Sequence, residues 1–240
     1  WSLVGSEMCI RDRKNAGKNL IQVIDDGIGM SRNDMYKSFI KHATSKINKI
    51  DDVFSINSMG FRGEALAAIS SVSMIEMSSA KLNENDGYFI EINGGKVITE
   101  KELIGNKGTS IKVQNLFYNV PARRNFLKSD FVELRHIINV FNSIALSNNE
   151  IEFSFINNDE EIFYLKKESL KKRIISIFGE KIRENLIPIS EDTQIANLKG
   201  FILKPDFAKK SRINQYIFVN KRSIKSQFIN HSISSSFDGL

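Results

Sequence analysis

Four short segments of the chain carry residues whose types and spacing could do chemistry. The first is Asp25-Asp26-Gly27-Ile28-Gly29, directly after the apolar run at 20–24. A carboxylate held at a strand end can accept a hydrogen bond from an exocyclic amine such as that of adenine. Glycines at alternate positions let the backbone come close to a flat ligand. The same pattern also describes a tight turn, and that reading stands beside the ligand reading. The second segment is Gly60-Phe61-Arg62-Gly63-Glu64-Ala65-Leu66. Its glycines bracket Phe61 and Arg62 where a helix should begin, and backbone N–H groups at a helix N-terminus attract anions. There is no G-K-S/T triplet, so it is not a Walker loop; a plain glycine turn with Arg62 on the surface is the other reading. Between them lies Lys41-His42-Ala43-Thr44-Ser45-Lys46, where two hydroxyls and the Lys46 ammonium could reach phosphate oxygens. His42 reads more readily as a structural hydrogen-bonder. His42, His136 and His231 are too scattered in sequence to suggest a metal site. The fourth segment is Gly108-Thr109 with Leu116-Phe117-Tyr118-Asn119-Val120-Pro121-Ala122-Arg123-Arg124. The Thr109 hydroxyl could touch an adenine edge, and Arg123-Arg124 could contact phosphate or DNA. Phe117 and Tyr118 read as core.

The elements that must position these residues follow from periodicity and turn chemistry. The run at 20–24 reads as a buried strand entering a turn. Ser31 is a helix N-cap, with Asp34 at the capping-box position and Met30 and Met35 as a hydrophobic staple, for a helix reaching about His42. A second helix runs from about Glu64 to Ser70. Strands are expected at 72–78, at 88–92 and 96–99 around Asn93-Gly94-Gly95, and at 109–114, whose alternation predicts one wet face. Residues 130–146 are the strongest helix: Leu134, Ile137, Ile138, Phe141, Ile144 and Ala145 share a face. A hairpin, 151–155 and 162–165, surrounds Asn157-Asn158-Asp159. Near residue 166 the order restarts. Ser169 caps a helix stopped by Gly179, strands follow near 187–189, 198–204 and 215–220, and 226–234 reads as helix. A domain boundary is expected at 166–169.

Composition bounds the classes. Of 240 residues, 41% are hydrophobic, enough for a core, and 26% are charged. No run of about 18 apolar residues predicts a membrane span, and Arg11, Asp12 and Arg13 interrupt the one apolar stretch near the start. Cys9 is the single cysteine, so no disulfide can form within the chain, and a reducing compartment is expected. The net charge of +6 is compatible with an anionic partner, but on charge alone a solvated Lys-rich surface is the favoured reading. Residues 1–13 hold the one Trp and the one Cys and fit neither a helical nor a strand period. They read as a leader foreign to the gene and are set aside from fold reasoning.

Taken in order, the segments DDGIG, KHATSKI, GFRGEAL and GTSIKVQNLFYNVPARR resemble the signature segments of the MutL-type DNA mismatch repair family, a branch of the GHKL ATPases. KHATSKI followed by GFRGEALAAI separates that branch from gyrase-type, Hsp90-type and histidine kinase sites. The likeness runs from about residue 14 to 240. It implies an α/β (α+β) fold: a two-layer GHKL, or Bergerat-type, ATP-binding sandwich over 14–166 lacking its first helix. A domain like domain 2 of ribosomal protein S5 would follow at 167–240, truncated at its C-terminus. Carried over by position, Asp25 would read the adenine amino group, with Gly27 and Gly29 in the same motif. Thr44, Ser45 and Lys46 would belong to a lid near the phosphates, Gly60, Phe61, Arg62 and Gly63 to the phosphate loop, and Thr109 would sit beside the adenine-reading Asp. Phe218-Val219-Asn220-Lys221-Arg222 resembles the family's YVNGR segment with Lys221 in place of glycine. Arg222, Lys221, Arg123 and Arg124 then become DNA-phosphate contacts. ATP and Mg²⁺ are the implied cofactors. The implied partners are DNA, a MutS-type mismatch-recognition protein and a second copy through an ATP-dependent N-terminal dimer. A cytoplasmic, nucleoid-associated prokaryotic location is implied, with no membrane partner.

The departures from the family pattern bear on catalysis. The family carries a water-activating Glu, and an Mg²⁺-ligating Asn four residues later, on a helix before the first motif. Residues 1–13 offer Glu7, with Arg11 four residues on. The general base is therefore unassigned in this chain. The family's phosphate-sensing Lys and its C-terminal dimerisation domain are expected beyond residue 240. The intact protein is expected to be an ATP-gated clamp and matchmaker, and the 240-residue chain to be hydrolysis-deficient. The alternatives are another GHKL enzyme, such as a type II topoisomerase subunit, and a non-catalytic DNA-binding module suggested by the charge and the two basic pairs. A histidine kinase would need an upstream phosphoacceptor His, which the chain does not supply.

Overall fold

Directly opposed residues on seven strands form one apolar row, Ile90, Met77, Ile111, Val23, Ile10, Phe155 and Phe163. The computed structural model describes residues 7–14, 16–41, 63–81, 86–104, 107–194, 196–207 and 214–237. The strands are β1 (Glu7–Lys14), β2 (Leu20–Asp25), β3 (Met74–Ala80), β4 (Asp86–Asn93), β5 (Lys96–Ile104), β6 (Gly108–Gln114), β7 (Glu152–Asn157) and β8 (Glu160–Leu165). They form one mixed sheet in the order β5-β4-β3-β6-β2-β1-β7-β8. All neighbours are antiparallel except β1 and β7, which run parallel.

Because side chains alternate across a strand, the row lies on one face, and the helices cover that face. Helices α1 (Arg32–Ser38) and α2 (Ala65–Ser71) cover one half: Met35 is buried among Ile75, Met77, Ile90, Ile92 and Ile111, with Leu66 and Ile69 packed alongside. The short α3 (Pro121–Arg124) precedes the long α4 (Asp130–Ser147), which covers the other half. There Phe141 and Ala145 meet Met8, Phe153, Phe155 and Leu165. Phe141 stacks on Phe163 at 5.5 Å and meets Phe153 edge-on at 6.0 Å. Each such buried side chain contributes about 1.5–3 kcal/mol. The opposite face is polar: Lys112 Nζ pairs with Glu76 Oε2 at 2.9 Å, and Gln22 Nε2 donates to Ser110 Oγ at 3.1 Å. The alternation of β6 predicted this wet face.

After β8 the chain forms α5 (Leu170–Phe178), a 3₁₀ run at Glu180–Asn185 and the ribbon β9 (Leu186–Asp192) with β10 (Asn197–Leu203). The two-residue strands β11 (Phe218–Val219) and β12 (Arg222–Ser223) and helix α6 (Gln227–Ser236) follow. Arg173 of α5 fastens this part to the sheet and is fully buried. Its guanidinium donates to the carbonyls of Ala145, Ile151 and Lys166, each at 2.8 Å, pairs with Glu168 at 3.3 Å and lies over the Phe153 ring. Only arginine offers five donors in one planar fork, enough to serve carbonyls from three segments at once.

Several elements differ from expectation. Residues 7–13, set aside on sequence grounds, lie in β1 in the interior of the sheet, where Met8 and Ile10 join the apolar face. Helix α1 stops at Ser38, short of His42, because Ser38 Oγ donates to Met35 O at 2.6 Å and the next two N–H groups bond three residues back. Pro121–Arg124 is a short helix with proline in its first turn, where the missing N–H costs no helical bond. The strand expected at 215–220 shrinks to Phe218–Val219, since Asn220 (φ 49°) and Lys221 (φ 63°) form the turn of a tight hairpin.

Arg173→Ala should cost about 3–5 kcal/mol of unfolding free energy, because it leaves Glu168 and the carbonyls of Ala145, Asn149, Ile151 and Lys166 without this donor. Arg173→Lys should recover little of it, since an ammonium cannot span the same acceptors. Denaturant midpoints measure both, and a loss under about 1 kcal/mol for Arg173→Ala would rule out the fastening role.

Candidate functional site

At one edge of the sheet the ends of β2 and β3 meet the start of β6. The register sets Asp25 opposite Thr109 and Thr109 opposite Ser79. Asp25, Thr109 and Ser79 therefore share the helix-covered face with Val23, Ile111 and Met77, two positions further along each strand. A polar row on an otherwise apolar face must satisfy itself locally. Ser79 and Thr109 are buried, and their hydroxyls lie 3.0 Å apart. Ser79 Oγ also donates to Gly108 O at 3.0 Å and accepts from Met30 N–H at 2.8 Å. Asp25 Oδ1 accepts from Gly27 N–H at 3.0 Å. Asp26 turns the other way, and its Oδ1 accepts from Glu7 N–H at 2.8 Å.

Burial pushes the Asp25 carboxyl above the usual aspartate range, and the neighbouring Asp26 charge adds to that. The N–H groups of Gly27 and Thr109 pull in the opposite direction without cancelling it. The carboxylate is half-buried and acceptor-only when ionised, ready for a donor on a ligand.

Two glycines fasten this corner. A Cβ on Gly29 (φ 66°) would lie 1.9 Å from Ala80 O, and one on Gly108 (φ 101°) would lie 2.0 Å from Asp25 O. Backbone packs directly on backbone at both points. Gly29 thus serves contact within the protein, a different purpose from the ligand approach that its motif suggests. Gly27 is buried and supplies the N–H that orients Asp25. Gly63 (φ 64°) immediately precedes α2, whose N-cap Glu64 makes no side-chain capping bond to the first turn.

Of the other sequence-nominated residues, Thr44, Ser45, Lys46, Gly60, Phe61 and Arg62 lie outside the described residues, as does His42. The basic residues are separated. Arg123 and Arg124 are exposed in α3, which follows the far end of β6. Lys221 lies in the β11–β12 turn and pairs with Glu150, just before β7 and so on the Asp25 edge of the sheet. Arg222 is the next residue, in β12. The fold therefore puts the two basic pairs at opposite edges of the sheet. Ser79 was missed from sequence, since only strand register brings it beside Thr109. Among the described residues no group of three or more His, Cys, Asp or Glu converges as a metal site, and no helix is long and apolar enough to cross a membrane. A separate cavity of about 210 Å³ between α1 and the β4–β5 hairpin is lined by Arg32, Met35, Tyr36, Tyr88, Glu100 and Lys101, among others, and includes none of the nominated residues.

The raised Asp25 pKa has a signed consequence for stability. A carboxyl that holds its proton more tightly when folded favours the fold at low pH. That contribution is lost as pH rises from the ordinary aspartate range through the raised value. Asp25→Asn keeps an oxygen for Gly27 N–H and removes the charge. It should therefore be more stable than the parent chain at neutral pH, with the gain vanishing in acid. Thermal melts across pH measure this, and an Asn variant less stable at neutral pH would contradict it.

Comparison with known proteins places this geometry. A family model described as the C-terminal domain of DNA mismatch repair protein matches residues 174–240. The DNA mismatch repair protein MutL of Christiangramia forsetii is 51% identical over 227 residues, covering 95% of this chain and 37% of that protein. MutL of Flavobacterium psychrophilum is 49% identical over the same length, with the same coverage. The chain thus spans 37% of the length of these curated relatives. Among solved structures, the Aquifex aeolicus MutL ATPase domain complexed with ADP matches with a TM-score of 0.72 at 27% identity, over 97% of this chain and 81% of that one. The N-terminal domain of a DNA repair protein shares the fold, with a TM-score of 0.80 at 22% identity, over 98% of this chain and 74% of that one. A mixed sheet covered by helices on one face, with these relatives in sequence and structure, has the fold of the GHKL-type MutL ATPase domain, and the chain belongs to the MutL family of DNA mismatch repair proteins.

Proposed function

We propose that this chain binds the adenine end of ATP at the Asp25–Thr109 edge of the sheet, as the nucleotide-binding part of an ATP-gated DNA mismatch repair clamp. The observation that carries the reading is the polar row itself: a half-buried carboxylate beside a buried hydroxyl, at a strand end where backbone packs on backbone. Ser79 and Thr109 are satisfied by internal bonds, whereas the half-buried Asp25 carboxylate keeps acceptor capacity beyond its bond from Gly27 N–H. Asp25 would accept from the exocyclic amine. The start of α2 behind Gly63 would face the phosphates, with Thr44, Ser45, Lys46, Gly60, Phe61 and Arg62 assigned to phosphate and lid contacts by the family resemblance. Mg²⁺ would enter with the nucleotide, whose phosphates supply ligands that no cluster of the described residues offers.

Turnover belongs, in this reading, to the intact protein. No Glu-x-x-x-Asn precedes β2, and Glu7 begins a strand. The 240-residue chain would bind nucleotide without hydrolysing it. We place the nucleotide domain at 14–166, extended at its start by β1 from Glu7, and an S5-like domain at 167–240. The large sheet ends at Leu165, and the family-model match begins at 174. Arg123-Arg124 and Lys221-Arg222 would then contact DNA phosphates as two separate sites. A MutS-type partner, an ATP-dependent N-terminal dimer and a cytoplasmic, nucleoid-associated setting complete the assignment.

Equilibrium binding of a non-hydrolysable ATP analogue, with and without Mg²⁺, tests this on the 240-residue chain and on Asp25→Ala. Binding without a Mg²⁺ requirement is expected, weakened at least about tenfold, or about 1.4 kcal/mol, by the substitution. A folded chain that binds no nucleotide yet binds DNA with a steep salt dependence would favour the non-catalytic DNA-binding module. Binding indifferent to Asp25→Ala would remove Asp25 from the site.

A further inference from the structure

Resting on the proposal that Lys221-Arg222 contacts DNA phosphates, we infer that the Lys221–Glu150 pair is an autoinhibitory latch: Glu150 holds the Lys221 ammonium until a nucleic-acid phosphate takes it. Asn220 (φ 49°) and Lys221 (φ 63°) are the two central residues of the β11–β12 turn, and both are left-handed. A two-residue turn of this kind favours Asn-Gly. Asn220 meets the first preference. At the second position a lysine Cβ crowds the carbonyl that follows, so turn chemistry opposes Lys221. The use of lysine there lies in its side chain.

The Lys221 ammonium pairs with the Glu150 carboxylate, which lies between the end of α4 and the start of β7. Neither partner is buried: the Lys221 side chain is 58% exposed and that of Glu150 44%. A pair this open is weak, and breaking it returns both charges to water. A lysine ammonium is a point charge on a flexible stem, and a phosphate oxygen offers it the same kind of acceptor as a carboxylate. Arg222 follows at once in β12. A nucleic-acid backbone docked at Arg222 therefore brings phosphate to the latch. The exchange breaks no covalent bond and moves no proton; one ionic partner replaces another. Glu150 opposes DNA in two ways, by occupying Lys221 and by repelling the incoming phosphate. The first runs through Lys221 and the second does not, so the two are separable.

The test measures binding of short duplex DNA by fluorescence anisotropy at one low salt concentration. It uses the 240-residue chain, Glu150→Gln, Lys221→Gly and the double variant, with thermal melts to establish folding. Glycine suits the turn, so the Lys221 variants are expected to fold. Glu150→Gln should tighten binding about threefold to fivefold, the range set by the strength of an exposed ion pair. That gain should shrink in the Lys221→Gly background, where no ammonium remains to be released. Lys221→Gly should weaken binding in both backgrounds, more strongly where Glu150 is replaced. A gain of equal size with and without Lys221 overturns the latch, since repulsion by Glu150 then explains it. No gain in Glu150→Gln also overturns it. A folded Lys221→Gly chain that binds as the parent does shows that phosphate never takes Lys221, and overturns the opening. Arg222→Gln separates these failures from failure of the underlying reading. Parent affinity retained in full by Arg222→Gln removes the hairpin from the DNA site, and the inference falls with it.

Discussion

Backbone packs on backbone at the corner where β2 ends, and the rest of the site depends on that contact. Gly29 lies against the Ala80 carbonyl and Gly108 against that of Asp25, with no room for a Cβ at either point. The turn after Asp25 is thereby pressed onto the ends of β3 and β6. That pressure brings Met30 N–H within reach of Ser79 and sets Asp25 beside Thr109. A side chain at either glycine would push the turn away, and the polar row would lose its internal bonds together with its position.

The row sits on the face that the fold otherwise uses for its core. Helix α1 with α2 fills one half of that face, α4 fills the other, and the two apolar clusters are distinct. Val23 and Ile111, neighbours across the β2–β6 pair, belong one to each cluster. Asp25 and Thr109 continue the same two strands to the edge. An ionised carboxylate there is held against its own desolvation, which is why its pKa rises. Stability is given up locally for a group suited to a ligand.

Helix α4 serves both parts of the chain. Its inner face packs Phe141 and Ala145 on the sheet, and Ala145 O near its C-terminus accepts from Arg173 of α5. The Tyr216 ring lies 5.8 Å from that of Phe178. Lys221 reaches Glu150 just beyond the helix. Buried and bonded through all three side-chain nitrogens, Arg173 is the strong member of this group, while the exposed Lys221–Glu150 pair adds little. A basic residue nominated for DNA is thus engaged inside the protein, at the sheet edge that also carries Asp25.

The chain by itself determined the elements whose signal is local. Helix α4 follows from its 3.6-residue apolar stripe, the α1 cap from Ser31 and Asp34, and the hairpins from Gly94-Gly95 and from Asn158 and Asp159 in left-handed conformations. Asp25 and Thr109 stood out because a short motif announces each of them, and the strand register sets them opposite one another. Tertiary structure alone decided what register controls. Ser79 is an ordinary serine in a polar stretch until pairing sets it opposite a residue 30 positions away. Strand β1 has too irregular a pattern to be read on its own and is made a strand by β2 on one side and β7 on the other. Periodicity reports which face of one element is buried. It carries no information on which distant strand lies alongside, so polar networks built across strands stay hidden until the chain is folded.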